Sequence, residues 1–300
     1  MKSASNKLVL ARPLLGTFVE IAAEGAAAAQ VEDGIEAAFA AIQRVHDRMS
    51  FHDAGSDVWR LNVARPGEVT VVADWTYRVL EMALELHRRS NGSFDIAIAP
   101  ALQLIGLLPS TPHASAEEQR LTCSLELLGD NRVRLRSAGK IDLGGIAKGF
   151  AVDRAVDVLR QHGIPGGIVN AGGDLAAFGP EEHSVAIRDP RDPTRSICQV
   201  PVRNAALASS GPLFDPVEAI GVSHSAVIDP ITGRPVGAIC GATVRASRCW
   251  MADALTKVVM IAGTGASEIL DFYGASALLV MANGEVEATA SWRDARSIAA

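Results

Sequence analysis

The order of the predicted helices and strands is the feature that most restricts the fold of this 300-residue chain. A strand is predicted over residues 14–24, and helices are predicted at 250–262 and 267–272. The second half of the chain is richer in short strands, predicted at 167–170, 184–188, 200–203, 206–210, 227–229 and 242–246. Because helices and strands mix without a regular strand–helix–strand repeat, an α+β fold is favoured over a doubly wound parallel sheet. No internal repeat or linker divides the chain, so residues 1–300 are predicted to form a single domain.

The first half of the chain is predicted to be mainly helical. Its first helix is indicated by five apolar residues at helical spacing, Val31, Ile35, Ile42, Val45 and Met49. Further helices are predicted over residues 74–89 and from about 146 to 162. Residues 102–131 contain prolines with serines and threonines and are predicted to be a loop. Two short strands, 133–135 and 140–143, are predicted to pair as a hairpin.

Composition and charge exclude several classes of protein. With 48% hydrophobic residues the chain is globular, and its net charge of −6 argues against general binding of nucleic acid or anionic membranes. It has no apolar stretch of the length of a transmembrane helix, so no stable membrane insertion is expected. The first residues do not resemble a secretion signal, and the four cysteines form no CxxC pair. A cytoplasmic protein with reduced thiols is therefore expected.

The segment KIDLGGIAKGFAVD, residues 140–153, is the most informative part of the sequence for chemistry. Gly144 and Gly145 stand between a predicted strand and the start of a helix, where backbone N–H groups and the helix dipole favour an anion. Lys148 falls in the first turn of that helix, where a cation opposes the dipole unless a negative group lies nearby. Two interpretations stay open: a phosphate site, or a simple turn followed by a solvated lysine.

A second glycine pair follows a predicted apolar strand in IVNAGGDLAAFG. Gly172 and Gly173 permit close backbone approach or a positive φ, and Asp174 follows them. An ordinary hairpin with an exposed aspartate explains the same residues. Farther along, His224 precedes the firm turn of IDPITGRP and is either a general base or a structural histidine.

The predicted helix at 250–262 carries a third group of polar residues. Asp253 and Lys257 stand four apart with the acid first, the better order for an ion pair on a helix. Thr256 shares that face, so a carboxylate and a hydroxyl are also available to hold Mg²⁺. A surface salt bridge is the alternative interpretation.

Taken in order, these segments resemble the ApbE family, the FAD:protein FMN transferases. The resemblance spans roughly residues 15–290. It is carried by LLGTFVEI, MSFHDAGSDVWRLN, NGSFDIAIAPAL, KIDLGGIAKGFAVD, NAGGD, ASSG, IDPITGRP and ADAL. Eight motifs in the right order and spacing are specific together, although none is decisive alone.

The resemblance implies an α+β fold with an FAD site between two sub-regions. Members cleave the FAD pyrophosphate and pass the FMN phosphate to a threonine or serine of an acceptor flavoprotein; some instead hydrolyse FAD to FMN and AMP. Both reactions use Mg²⁺. Carried over by position, the FAD-binding residues are Ser50, Asp95, Lys148, Gly172, Gly173, Asp174 and Lys257. The metal would be held by Asp253, a backbone carbonyl near Gly145 and Thr256, and the catalytic residues would be Asp253 and His224.

This chain departs from the family pattern at two positions. Lys257 stands where the family has its metal-binding threonine, and Thr256 is one position early, which rotates a helical side chain by about 100°. Ala226 stands where the family has a histidine, and His224, two residues earlier, would share its face in a strand. Mg²⁺-dependent FMN transfer is the preferred function. The alternatives are an FAD pyrophosphatase and an FAD-binding or delivery protein in which the Lys257 ammonium replaces the metal.

Overall fold

The structure of this protein, a computed structural model, describes residues 6–109, 125–137, 139–211 and 227–297. Its strands are β1 (Asn6–Leu14), β2 (Thr17–Gly25), β3 (Thr70–Val71), β4 (Leu125–Leu127), β5 (Arg132–Leu135), β6 (Gly166–Ala171), β7 (Asp174–Phe178), β8 (His183–Asp189), β9 (Asp192–Val202), β10 (Ala205–Ser210), β11 (Ile228–Asp229), β12 (Arg234–Pro235), β13 (Ile239–Ala246), β14 (Ser276–Met281) and β15 (Val286–Ala288). Its helices are α1 (Ala28–Met49), α2 (Asp57–Val63), α3 (Asp74–Arg89), α4 (Ala99–Leu104), α5 (Ala147–Gln161), α6 (Cys249–Ala262), α7 (Ser267–Phe272) and α8 (Ala290–Ser297).

An antiparallel sheet of eight strands forms the centre of the fold. Its strand order is β1-β2-β6-β7-β10-β13-β14-β15, and each neighbouring pair is antiparallel. A smaller sheet has the order β3-β5-β4, and β8–β9 and β11–β12 form two-stranded ribbons. The predicted α+β class is confirmed, because parallel strands joined by helices would be required for a doubly wound sheet. No helix in the described ranges has both the length and the apolar character needed to span a bilayer.

Both faces of the central sheet are covered, and successive residues of its strands alternate between two clusters of buried side chains. On β10, Ala206 and Ala208 belong to the larger cluster, which contains the buried faces of α1, α5 and α6. Leu207, between them, belongs to a smaller cluster that includes Val200 of β9 and Trp292 of α8. The three helices therefore pack on one face, and the β8–β9 ribbon and α8 cover the other.

Helices α5 and α6 are held together by buried polar contacts between the middle of α5 and the first turn of α6. Asp153 of α5 accepts the backbone N–H groups of Cys249 and Trp250, both at 3.0 Å, at the first turn of α6. A carboxylate at this position accepts hydrogen bonds from the free N–H groups and interacts favourably with the positive end of the helix dipole. Arg248 lies 3.3 Å from the same carboxylate. These contacts place α6 against the amino-terminal half of α5, where the candidate site lies.

Most of the predicted helices and strands are present in the structure. The five apolar residues chosen for α1 are all buried, and α3 covers the predicted residues 74–89. The predicted hairpin of 133–135 with 140–143 is wrong, since β5 pairs with β3 and β4. Residues 102–131 are not one loop, because α4 and β4 extend into them; residues 110–124 lie outside the described ranges. No strand was predicted before residue 14, where the structure has β1.

The segment predicted as a strand at 140–143 is fixed in an extended path by a side chain instead. Asn62 of α2 accepts the N–H of Ile141 at 2.8 Å and donates to its carbonyl at 2.9 Å. The next residue, Asp142, donates its N–H to the carbonyl of Ile96 at 2.8 Å. The asparagine therefore takes the place of a neighbouring strand, and it holds the chain that leads into α5.

Replacing Asn62 by alanine is expected to destabilise the protein by about 1–3 kcal/mol, because two backbone groups of Ile141 lose their partners. Chemical denaturation measures the loss. Asn283, in an exposed turn, offers the matched control Asn283→Ala, for which a change within about 0.5 kcal/mol is expected. Equal stability of Asn62→Ala and the wild type would show that this contact does not hold the segment.

Candidate active site

A cavity of about 580 Å³ is walled by the β1–β2 turn, the end of α1, the start of α5, the β6–β7 turn and α6. Six of the residues predicted from the resemblance line it, namely Ser50, Asp95, Gly145, Lys148, Gly172 and Lys257. Four other predicted residues are not among the described residues of its wall, namely Gly173, Asp174, Asp253 and Thr256. His224 and Ala226 lie outside the described residues, so the predicted role of His224 stays a prediction.

Two lysines of the cavity wall each contact a carboxylate that is more deeply buried. Lys148, in the first turn of α5, pairs with Asp174 at the start of β7, and its Nζ lies 3.9 Å from Oδ1 of Asp253. Lys257 of α6 pairs with Oδ1 of Asp253 and donates to the backbone carbonyl of that residue at 3.0 Å. The lysine side chains are 36% and 19% exposed, against 3% and 0% for the two aspartates. The carboxylates therefore hold both ammonium groups at the wall of the cavity.

The carboxylate of Asp253 has partners on both oxygens. Oδ1 faces the Lys257 ammonium, and Oδ2 accepts the backbone N–H of Gly149 at 3.0 Å. This approach depends on the absence of a side chain at Gly149, where a Cβ would lie 2.4 Å from the carbonyl oxygen of Cys249. The close packing of α5 on α6 thus places Asp253 beneath the lysines.

Burial and charge shift the pKa values of this cluster in different directions. Burial raises the pKa of Asp174, and the charge of Asp253 adds to the rise, while Lys148 opposes it. Burial would also raise the pKa of Asp253, but Lys148 and Lys257 outweigh it and hold that pKa below its usual value. Burial acts to lower the pKa of Lys148, but Asp174 and Asp253 more than offset it and raise that pKa. At neutral pH Lys148 is therefore an ammonium group beside an ionised Asp253.

Glycines beside the lysines bring backbone close to the cavity. A Cβ at Gly145 would lie 3.5 Å from Cε of Lys257, so the lysine side chain extends along this glycine. Gly172 and Gly173, in the β6–β7 turn, have φ angles of +65° and +104°, which residues other than glycine rarely adopt. A Cβ at Gly172 would also lie 2.6 Å from Oγ1 of Thr17. The second glycine pair is therefore required by the turn that leads into Asp174.

Ser50 and Asp95 contribute polar groups to the same cavity. Ser50 follows the last residue of α1, and its Oγ accepts the N–H of His52 at 3.2 Å. Asp95 accepts the N–H of Ala97 at 2.8 Å, and its Oδ2 lies 3.4 Å from Nδ1 of His87. Burial raises the pKa of Asp95, against the opposing effects of Ala97 and His87. Both predicted residues thus reach the cavity, where Asp95 offers a carboxyl with a raised affinity for protons.

Several residues that line the cavity were not chosen from the sequence. Among them are Asp142, His46, His52, Ser209 and Ser210. Asp142 accepts the N–H of Gly144 at 2.9 Å, and burial raises its pKa. Asp142, Ser209 and Ser210 stand inside the motifs KIDLGG and ASSG, so their positions were available from the sequence although their orientation was not. His46 and His52 carry no comparable signal.

The residues predicted to hold Mg²⁺ do not fit a divalent ion in this arrangement. Both carboxylate oxygens of Asp253 already have a hydrogen-bond partner, and one of these partners is the cationic Lys257 ammonium, which repels a divalent ion. The hydroxyl of Thr256 donates to the backbone carbonyl of Asp253 at 2.7 Å and lies 2.7 Å from Oγ of Ser210. Within the described ranges no group of three or more histidine, cysteine, aspartate or glutamate side chains is placed to hold a metal ion. The set of Gly145, Asp253 and Thr256 therefore stays a prediction without support from these contacts.

The cavity combines a cationic wall with apolar walls. Lys148 and Lys257 supply the positive charge, and the start of α5 lies beside them. Apolar side chains line other parts of the cavity, among them Phe51, Phe94, Leu102, Leu107 and Leu108. Ammonium groups bind phosphate oxygens, whereas aromatic rings of a ligand favour apolar walls. The arrangement therefore fits a ligand with a phosphate or pyrophosphate group and attached rings.

Comparison with known proteins agrees with this geometry. The chain is 30% identical to the FAD:protein FMN transferase of Treponema pallidum over 88% of this chain and 81% of that protein. It is 29% identical to the FAD:protein FMN transferase of Vibrio cholerae, over 74% of this chain and 71% of that protein. These relatives match over most of their own length.

The fold and the sequence motifs lead to the same family. The crystal structure of the ApbE protein from Thermotoga maritima superimposes with a TM-score of 0.83 at 27% identity, over 96% of this chain and 98% of that one. The family model described as the ApbE family matches residues 15–280. Since this match covers most of the chain, the chain belongs to the ApbE family.

Proposed function

We propose that this protein is an FAD:protein FMN transferase. It binds FAD in the cavity, cleaves the pyrophosphate and attaches FMN to a serine or threonine hydroxyl of an acceptor flavoprotein. The proposal is supported by membership of the ApbE family and by relatives that carry this name. The observation that carries it in this chain is the pair of ammonium groups, Lys148 and Lys257, at the wall of a cavity with apolar sides.

The reaction is a displacement at phosphorus, for which a protein mainly provides alignment and charge. The acceptor hydroxyl oxygen forms a bond to the phosphorus of the FMN half. The bond from that phosphorus to the bridging oxygen breaks, AMP leaves with the bridging oxygen, and the hydroxyl proton passes to a base. Lys148 and Lys257 would bind the pyrophosphate oxygens and offset the charge that develops on the leaving phosphate. Asp174 and Asp253 would hold the two ammonium groups in place.

The identity of the base is a further part of the proposal. His224 precedes the IDPITGRP turn and is predicted to accept the proton of the acceptor hydroxyl. The start of that turn lies at the cavity, because Ile228 and Pro230 line it, as does Val227 just before them. His224→Ala should then lower the rate of transfer while leaving FAD binding intact.

Mg²⁺ is predicted from the resemblance and from the helix face that Asp253 and Thr256 share in the sequence. It would supply charge at the pyrophosphate if it bound. The contacts of Asp253 and Thr256 do not favour it, so the steps above are assigned to this chain's own residues.

The setting of the reaction is also proposed. We infer that residues 1–300 act as one domain, since one cluster of buried side chains includes Val19 of β2, Val79 of α3 and Leu279 of β14. A cytoplasmic location is proposed from the sequence, and the proposed partner is an acceptor flavoprotein. Cell fractionation tests the location.

The function is tested by incubating the purified protein with FAD, with and without the unmodified form of a flavoprotein whose acceptor threonine is free. Release of AMP together with covalent flavin on the acceptor, seen by fluorescence in a denaturing gel, is expected. AMP release without labelling would instead identify a pyrophosphatase. FAD retained without cleavage would identify a binding or delivery protein.

A further inference from the structure

Lys257 occupies a distinctive position between the cavity and a buried carboxylate. Its ammonium group uses one donor on Oδ1 of Asp253 and one on the backbone carbonyl of Asp253 at 3.0 Å. An ammonium group has three donors, so one remains. Because Lys257 lines the cavity and Asp253 does not, the remaining donor is available to a ligand there.

A divalent ion at the same carboxylate would compete directly with this lysine. Mg²⁺ binds carboxylate oxygens at about 2.0–2.1 Å, so an ion on Oδ1 of Asp253 would have to displace the Lys257 ammonium. It would also approach Lys148, whose Nζ lies 3.9 Å from that oxygen. The other oxygen, Oδ2, accepts the N–H of Gly149 and belongs to a side chain with no exposed surface, so an ion there would have to enter the α5–α6 contact. Charge repulsion and lost contacts thus both disfavour the ion.

The charges of the cluster point to the same conclusion. The carboxylates of Asp174 and Asp253 are balanced by the two ammonium groups of Lys148 and Lys257. Because each of these two carboxylates already faces an ammonium group, neither offers an uncompensated charge to a divalent ion. A pyrophosphate, in contrast, meets ammonium groups that face the cavity.

We propose that the Lys257 ammonium group takes the place of a divalent metal ion in this protein, binding the pyrophosphate of FAD together with Lys148. This inference rests on the proposed function, since it assigns the counter-charge for that substrate. It follows that FAD binding does not require Mg²⁺.

The first test uses the wild-type protein and measures FAD binding by quenching of flavin fluorescence, in EDTA and in excess Mg²⁺. The two dissociation constants are expected to agree within about twofold, because the proposal has no bound Mg²⁺ that could change the affinity for FAD. Binding at least about tenfold tighter in Mg²⁺ would overturn the inference and leave the transferase proposal standing. Absence of FAD binding under both conditions would overturn the proposed function as well.

The second test exchanges the cation at this position. Lys257→Thr removes the ammonium and places a hydroxyl four residues after Asp253, which frees a carboxylate for Mg²⁺. The variant is expected to bind FAD at least about tenfold more weakly in EDTA, and to recover most of that affinity in Mg²⁺. Calorimetric titration of the variant with MgCl₂ alone should also give a binding signal that the wild type lacks.

Lys7→Thr is the matched control, since Lys7 is exposed on β1 and belongs to no wall of the cavity. It should bind FAD as the wild type does in both buffers. If Lys257→Thr remains folded by circular dichroism and binds FAD in EDTA as tightly as Lys7→Thr, the ammonium of Lys257 does not contact the pyrophosphate, and the inference fails.

Discussion

Replacement of Lys148 by alanine is expected to lower the rate of FMN transfer by about 10²–10³-fold, the usual effect of removing one preorganised donor to a developing negative charge. Lys148 is partly exposed at the cavity wall, where it pairs with Asp174. Its Nζ also lies 3.9 Å from Oδ1 of Asp253. Its ammonium therefore has donors left for the pyrophosphate. The rate of AMP release and the dissociation constant of FAD together measure the loss.

The same substitution leaves Asp174 buried without its ion pair, and this provides a second readout. Burial already raises the pKa of Asp174 above its usual value, and loss of Lys148 raises it further. A carboxyl whose pKa is higher in the folded than in the unfolded state costs stability as pH rises above the unfolded value of about 4. The melting temperature of Lys148→Ala should therefore fall, relative to the wild type, as pH rises from about 4.

A double variant and a control separate charge from folding. Lys148→Met with Asp174→Asn removes both charges at similar volume, and should restore stability without restoring activity. Lys7→Ala, on the exposed face of β1, should change neither. Full activity in the double variant would mean that Lys148 does not act on the pyrophosphate.

The role of Lys148 shows how far the sequence leads toward the site. A lysine in the first turn of a helix opposes the dipole, and this alone predicts a negative partner nearby. The partners themselves were not predictable from local sequence. Asp174 is brought to Lys148 by the pairing of β6 with β7, and Asp253 by the packing of α6 on α5. Contacts of this kind depend on tertiary structure, which no local periodicity encodes.

The pair of Asp253 and Lys257 was visible from its spacing of four residues, but its burial was not. On spacing alone, an exposed salt bridge explains the two residues equally well. Gly149 decides between the two interpretations, because it allows α5 to approach α6 and cover Asp253. The interpretation of one helix thus depended on a residue of another.

The fold was predicted where the amphipathic pattern was strong. Helix α1 has a continuous apolar face, and its residues were found from their spacing. The segment around Ile141 has buried apolar residues at alternate positions, as a strand does, yet its backbone partner is the side chain of Asn62. Strand β1 pairs only with β2 at the edge of the sheet, and none of its residues is fully buried. Edge strands of this kind show weak apolar alternation, so β1 was missed.

Replacement of Gly149 by alanine is expected to destabilise the protein by at least about 3 kcal/mol, at the upper end of the cost of overpacking. The added Cβ would lie 2.4 Å from the carbonyl oxygen of Cys249 and 2.8 Å from Cβ of Asp253. A backbone carbonyl cannot rotate away, so α5 and α6 would have to separate. In chains of about 150–250 residues, each kcal/mol of lost stability lowers the melting temperature by about 2–4 °C. The melting temperature of Gly149→Ala should therefore fall by roughly 6–12 °C.

The sign of the stability change in Gly149→Ala shows whether the close contact of the two helices or the helix propensity of alanine dominates. Alanine is favoured over glycine in a helix by about 1 kcal/mol, so propensity alone predicts that Gly149→Ala is stabilising. Gly237→Ala serves as the control, since a Cβ there meets no atom within 4 Å and its φ is not positive. Separation of the helices would also draw the N–H of residue 149 away from Asp253 and shift Lys148, so FAD binding should weaken together with stability. A variant with unchanged or raised melting temperature would contradict the close α5–α6 contact on which the positions of Asp253 and both lysines depend.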